Sequence, residues 1–137
     1  MPADSDALKP LSGRTIRSSR ASGKQRCEKD WNWRPPPLPD YDLWYVAAGA
    51  GVIRVNGVEY PLSSGCCMTL RPGDDIRAEH DPERRMTVFF VHFSVVGRER
   101  DGYPVRSALD GLPRRTIIKD KVWLESLLSR LVALDDE

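Results

Sequence analysis

Short runs of β-branched and aromatic residues occupy the middle of the chain, and turn residues separate them. Asn56-Gly57 supplies the positive φ angles of a tight hairpin, and Arg71-Pro72-Gly73-Asp74 favours a rigid turn. The runs predict six strands, near residues 42–48, 51–56, 58–61, 66–70, 76–79 and 86–94. Short strands broken in this way are typical of an antiparallel sandwich or barrel, so we expect a mainly β protein.

A different pattern begins at Asp120, where apolar residues recur at spacings of three and four. This spacing predicts an amphipathic helix, and the Asp120 side chain is suited to cap its first turn. The chain ends on Asp135-Asp136-Glu137, which places negative charge at the negative end of the helix dipole and favours a cut over a natural terminus. The recurring residues are Trp123, Leu124, Leu127, Leu128, Leu131 and Leu134.

Residues 1–30 contain few large apolar groups, and six basic residues but no acid lie from Lys9 to Arg26. We expect a partly flexible, solvated arm there, with contact to a phosphate backbone as the alternative. Arg14-Thr15-Ile16-Arg17 leaves room for a short strand. The predicted organisation is therefore a basic arm over 1–30, a β-barrel over 31–112 and a helical dimerisation segment over 113–137.

Composition narrows the class of protein. With 137 residues, 40% hydrophobic, 30% charged and a net charge of +1, the chain suits one globular domain and not a polyanion-binding protein. It has no apolar run suited to a secretory signal or a membrane span, which predicts a cytoplasmic protein with no membrane partner. Adjacent Cys66 and Cys67 would point to opposite faces of a strand, so we expect reduced thiols.

About 60 residues, in order and at the expected spacings, resemble the N-terminal domain of AraC-type transcriptional regulators. The resemblance implies a cupin-like double-stranded β-helix, or jelly-roll barrel, followed by helices that mediate dimerisation. In that family a C-terminal pair of helix-turn-helix motifs reads DNA, and this sequence holds neither, so DNA would be a partner only through a domain missing from this chain. The motifs are Asp40–Val46, Gly49-x-Gly51, Val58–Leu62, Gly65, Leu70–Asp74 and Val91-His92-Phe93.

Many cupins hold a divalent metal with a His-x-His-x4-Glu set and a later histidine. Carried over to this chain, those positions fall on Pro35, Pro37, Asp42 and Ile76. Proline and isoleucine side chains cannot ligate a metal, and one carboxylate is too few ligands. We therefore expect no metal and no other cofactor.

Without a metal, the barrel interior is open to a small organic effector, for which a sugar is one candidate. The resemblance places Phe90 and Arg34 where the arabinose-responsive member of the family meets its sugar, and its register points His80 inward. Period-two alternation puts Asp42 and Trp44 on one face of their strand. The predicted site has Trp44 and Phe90 as apolar walls and Arg34, Asp42 and His80 as orienting polar groups.

The same residues also have plainer interpretations. Trp44 and Phe90 are of types that more often fill a core than contact a ligand, and Asp42 would also serve to neutralise Arg34 or Arg54 across the sheet. His92 is assigned to a local hydrogen bond in preference to a ligand contact. Trp31 and Trp33 form either a lid or, as we favour, a plug at the barrel end.

The expected function is effector sensing and dimerisation, not catalysis. The only groups that titrate near neutral pH are two histidines, and no nucleophile elbow or phosphate-binding loop is present. Two alternatives stay open: a metal-free cupin isomerase or epimerase, and a dimerisation domain without a ligand. The helix is predicted to pair with its twofold mate in a homodimer, through Leu124, Leu127, Leu128 and Leu131.

Overall fold

The computed structural model describes residues 13–97 and 109–136. Within these ranges the chain forms nine strands and one helix. The strands are β1 Thr15–Arg26, β2 Asn32–Trp33, β3 Tyr41–Ala48, β4 Ala50–Val55, β5 Val58–Ser63, β6 Cys66–Leu70, β7 Ile76–His80, β8 Thr87–Val96 and β9 Arg115–Ile117, and the helix is α1 Lys121–Asp135. The predicted mainly β fold with a C-terminal helix is confirmed.

Two antiparallel sheets face each other. The five-stranded sheet has the order β1-β8-β3-β6-β9, and the four-stranded sheet has the order β2-β7-β4-β5. Neighbours that are distant in sequence, such as β3 and β8, pair because the chain crosses repeatedly from one sheet to the other. This is the arrangement of a jelly roll.

Strands β3 to β8 match the six predicted runs to within two residues at each end. Asn56 and Gly57 have φ angles of 52° and 84° and close the β4–β5 hairpin, as their sequence predicts. The Asp120 side chain accepts a hydrogen bond from the backbone N–H of Trp123 at 3.0 Å, so the predicted helix cap is also present. Local turn and capping chemistry therefore determines these boundaries.

The prediction of a flexible arm over residues 1–30 is wrong for residues 15–26, although the short strand allowed at residues 14–17 lies where this strand begins. These residues form β1, which pairs with β8 from Thr15 opposite Val96 to Arg26 opposite Thr87, with a bulge between Ser18 and Ser22. β1 is an edge strand and most of its residues are exposed, so basic side chains occupy it without an apolar stripe. Residues 1–12 lie outside the described part of the chain.

Strand β3 is buried on both faces. Trp44 and Val46 point into the space between the sheets, whereas Tyr45 points outward and packs against α1. On the helix, Leu128 is only 1% exposed and fills the cluster around Tyr45 and Phe89. Helix α1 therefore covers the outer face of the five-stranded sheet within the same chain.

Candidate functional site

A cavity of about 160 Å³ lies between the sheets. Strands β1, β3 and β8 and the segment around β2 contribute its wall. Asp42 and Trp44 enter it from one face of β3, and Val88, Phe90 and His92 enter from one face of β8, as strand alternation requires. The lining residues are Gln25, Trp31, Trp33, Asp42, Trp44, Val88, Phe90 and His92.

Three indole rings form the apolar side of the cavity. Trp31 and Trp44 stack with ring centroids 6.4 Å apart and planes 14° apart, and Trp33 and Trp44 stack at 5.7 Å and 13°. Trp44 is buried, while Trp31 and Trp33 are half-buried. The segment leading into β3 thus closes one side of the cavity with its own aromatic side chains.

A chain of polar contacts forms the other side. His92 Nδ1 lies 2.9 Å from Asp40 Oδ1, and His92 Nε2 lies 3.3 Å from Asp42 Oδ2. Ser19 on β1 donates a hydrogen bond of 2.6 Å to the second oxygen of Asp40. The Asp42 side chain is fully buried, and among the described residues neither of its oxygens has a well-formed hydrogen bond.

Burial raises the pKa of Asp42 from 3.8 to about 7. The imidazole of His92 and a backbone contact with Val91 act in the opposite direction, and the neighbouring Asp40 carboxylate raises the pKa further. At neutral pH this carboxyl therefore exchanges between protonated and charged forms. It is suited to accept a hydrogen bond from a ligand or to pair with a ligand's positive charge.

Of the five predicted site residues, Asp42, Trp44 and Phe90 meet in the cavity, and two do not. Arg34 is exposed and lines a separate, smaller pocket of about 60 Å³ beside Arg54 and Arg77. The correction follows from strand alternation, because Trp33 in β2 points inward and the next residue therefore points outward.

His80 faces the barrel interior as predicted, but both of its ring nitrogens are engaged. Nε2 lies 3.0 Å from the carbonyl oxygen of Lys29, and Nδ1 accepts a hydrogen bond of 3.1 Å from the backbone N–H of Met86. Its ring also contacts Trp31, with centroids 5.6 Å apart. His80 therefore fixes the loops around the cavity and does not line it.

Three lining residues, Gln25, Val88 and His92, were not among the predicted site residues. His92 does make the predicted local bond, to Asp40, but it also borders the cavity; its position two residues after Phe90 on the same strand carried that signal. Gln25 was missed together with β1. Trp31 and Trp33 act as cavity walls, which is closer to the alternative of a lid than to an inert plug.

A larger and more open groove of about 470 Å³ runs beside Gly51, Leu62, Glu79 and Arg84. Its charged groups are solvated, and the His80 ring beside it is already bonded to backbone. We therefore assign the functional site to the smaller cavity, where a carboxyl and the Trp44 indole are buried and two further indoles are half-buried.

The cavity does not have the donors of a metal centre. Asp40 and Asp42 contact opposite nitrogens of the His92 ring, so the three side chains do not converge on one point. Among the described residues no group of three or more histidine, cysteine, aspartate or glutamate side chains is placed to hold a metal ion. The metal found in many cupins therefore does not fit these residues.

The family that matches this chain is the AraC-like ligand binding domain, over residues 22–132, and the chain belongs to it. The predicted resemblance and the cupin-like fold are confirmed. A search of curated proteins finds no significant match. Within the described ranges, no helix is both long and apolar enough to cross a membrane.

Solved structures that resemble this chain include a cupin protein from Bacteroides fragilis, which is 12% identical, has a TM-score of 0.44, and aligns over 69% of this chain and 75% of its own. ToxT from Vibrio cholerae O395 is 10% identical with a TM-score of 0.42, over 91% of this chain and 55% of its own. The chain thus spans about half the length of ToxT.

Proposed function

We propose that this chain is the effector-sensing domain of a transcriptional regulator, and that a small organic molecule binds in the cavity between the sheets. The observation that carries the proposal is the Asp42 carboxyl, which is buried against aromatic rings without a well-formed hydrogen bond among the described residues. A buried polar group without a partner is unfavourable, and a ligand would supply that partner.

The cavity volume limits the effector to a small molecule. At about 160 Å³ it is close to the size of an engineered cavity of about 150 Å³ that binds benzene. We therefore expect an effector of roughly six to ten non-hydrogen atoms. A pentose is one candidate of this size, because its C–H face can stack on an indole while a hydroxyl donates to Asp42.

Strand β1 supplies a physical link from the cavity to the helix. Ser19 in the bulge donates to Asp40, which holds His92. Ser18 and Ser22, on either side of the same bulge, both donate to Asp135 at the end of α1. An effector that binds against Asp42 and His92 would therefore favour one position of the bulge, and with it of the helix end, over others.

For the readout we propose a homodimer formed through the outer face of α1. This face exposes Trp123 and Leu134, with Trp123 60% exposed. Leu127 and Leu131 of the predicted interface lie on it, at 44% and 43% exposed. The other two predicted interface residues, Leu124 and Leu128, pack against the sheet of their own chain, so they are corrected to core positions. A second copy would cover the exposed side chains by twofold symmetry.

The dimer proposal is tested by a matched pair of substitutions on one helix. Leu127→Glu should give a folded monomer in sedimentation velocity, because the charge falls on the outer face. Leu128→Glu should instead abolish folding, because it buries a charge in the cluster beneath the helix. A dimer that persists in Leu127→Glu with unchanged affinity would contradict the proposal.

The sensing proposal is tested by a thermal-shift screen of sugars, small amines and small organic acids, since a molecule that binds only the native state raises its melting temperature. A hit should lose its effect in Phe90→Ala and in Asp42→Asn. Asp75→Asn is the control, because it makes the same chemical change at an exposed position before β7. Full response in both cavity variants would place the site elsewhere.

We further propose that the site binds its effector without converting it. His92 contacts a carboxylate at each nitrogen, which leaves it no open position from which to take a proton from a substrate. Asp42 alone would then have to act as both the acid and the base of an epimerisation. Incubation of each hit with the protein, followed by NMR, should return the unaltered molecule. An epimerised or isomerised product would establish the enzyme alternative.

A further inference from the structure

The charges around the cavity do not balance. His92 contributes at most one positive charge, and it faces two carboxylates, Asp40 and Asp42. Among the described lining residues there is no lysine or arginine, and Arg34, which the sequence placed here, lies outside. The cavity is therefore negative whenever both carboxyls are ionised.

The uncompensated charge lies on the group that faces the cavity. Asp40 is bonded by Ser19 and by His92, whereas the nearest ionisable partner of Asp42 is His92 Nε2, 3.3 Å from one oxygen only. Both Asp42 oxygens are out of contact with solvent. A positive group in the cavity would neutralise this carboxylate where water cannot.

The apolar walls favour the same kind of ligand. Indole faces carry negative electrostatic potential and attract cations more strongly than other aromatic side chains do. Trp31, Trp33 and Trp44 line the cavity together with the ring of Phe90. The combination of aromatic rings and one buried carboxylate is suited to an ammonium group, and an anion would be repelled.

A sugar fits this lining less well. Besides Asp42, only Gln25 and His92 bring polar side chains to the wall formed by the described residues, and both nitrogens of His92 already face carboxylates. A monosaccharide would bury several hydroxyls, and each one left without a partner opposes binding. An alkylated ammonium ion makes no such demand, because its positive charge is spread over methyl and methylene groups.

We propose that the effector is a small organic cation, a quaternary ammonium ion, held between the tryptophan rings and the Asp42 carboxylate. This inference rests on the proposed function, because it assigns a ligand class to the same cavity.

The test compares choline with 3,3-dimethylbutan-1-ol, which has the same shape but no charge, by calorimetric titration at pH 8. Choline should bind at least tenfold more tightly than the alcohol. Asp42→Asn should reduce choline affinity by about 30-fold or more, as loss of one member of a buried charge pair does, and should leave the alcohol nearly unaffected. Trp33→Leu should weaken choline binding, and Asp75→Asn should not.

Three other results would contradict the cation assignment, the location of the site or the sensing function. If the alcohol or a monosaccharide binds as tightly as choline, the cation assignment is wrong and the sensing cavity stands. If choline binds both Asp42→Asn and Trp33→Leu as tightly as it binds the wild type, the cation does not bind in this cavity, and the inference fails. If none of these probes and no member of the sugar, amine and acid screen binds, the proposed sensing function fails with it.

Discussion

Replacement of Asp42 by asparagine should make the ligand-free protein more stable at neutral and alkaline pH. In the folded state the pKa of Asp42 is raised to about 7 by burial, against an ordinary value of 3.8. The native protein therefore keeps a proton that the unfolded chain releases. Its contribution to stability is fully present below pH 3.8 and is lost as the pH rises through 7.

The size of the effect follows from the shift. A difference between 3.8 and about 7 corresponds to about 4 kcal/mol at 1.36 kcal/mol per pH unit. Asparagine has nearly the same shape and does not titrate. The free energy of unfolding of the wild type, minus that of Asp42→Asn, should therefore decrease by several kcal/mol from pH 4.5 to pH 8.

Urea titrations followed by tryptophan fluorescence suit this measurement, because Trp44 lies in the same cavity. The two proteins share their other titratable groups, so the difference isolates the carboxyl and its coupling to His92. Asp75→Asn, at an exposed position, should follow the wild type at every pH. Parallel profiles for the wild type and Asp42→Asn would refute the reasoning, and a wild type that gains relative stability as the pH rises would show that His92 holds Asp42 as an ion.

Three further outcomes are expected. Gly23→Ala should weaken effector binding with the fold retained, because the added Cβ would lie 2.7 Å from the Phe90 ring and displace a cavity wall; unchanged affinity would contradict this. Arg114→Ala should lower the free energy of unfolding by about 3 kcal/mol, since Asp74 is 4% exposed and loses its charged partner; a change below about 1 kcal/mol in urea titration would show that its other bonds suffice. Burial raises the pKa of the Cys67 thiol to about 12, so a thiol reagent at pH 8 should label it only after unfolding, and labelling of the native protein would show local opening.

The sequence predicted those parts of the fold that rest on local chemistry. Turn residues such as Asn56-Gly57 and the Asp120 cap act within four residues of their own position, so the strand and helix boundaries followed from them. Alternation along β3 likewise placed Asp42 and Trp44 on the face that meets the cavity.

The predictions that failed concern residues whose structure depends on partners distant in the sequence. β1 is polar and exposed, and it is a strand because it pairs with the edge of β8. The residues from Arg14 to Arg17 allowed a short strand, but the pattern of residues 18–26 does not reveal the rest. The inner and outer faces of α1 are similarly apolar. The spacing of the apolar residues therefore did not show that Leu128 packs inward while Leu127 is exposed. Arg34 was carried over from a resemblance, and the pairing of β2 with β7 turned it outward.

The burial that destabilises Asp42 also explains how a small cavity would affect a whole domain. Above pH 7, burial of the ionised Asp42 costs about 4 kcal/mol of stability. A cation paired with the carboxylate would recover part of this free energy, because it stabilises the ionised form of Asp42 in the native protein. The gain is available only when β3, β8 and the tryptophan segment are in place around the ligand. Binding would therefore also stabilise the Asp40–Ser19 contact and the bulge that joins it to Asp135 on α1. The buried Asp42 carboxyl destabilises the ligand-free domain. Relief of that destabilisation on binding would supply the free energy that orders the bulge and the end of α1.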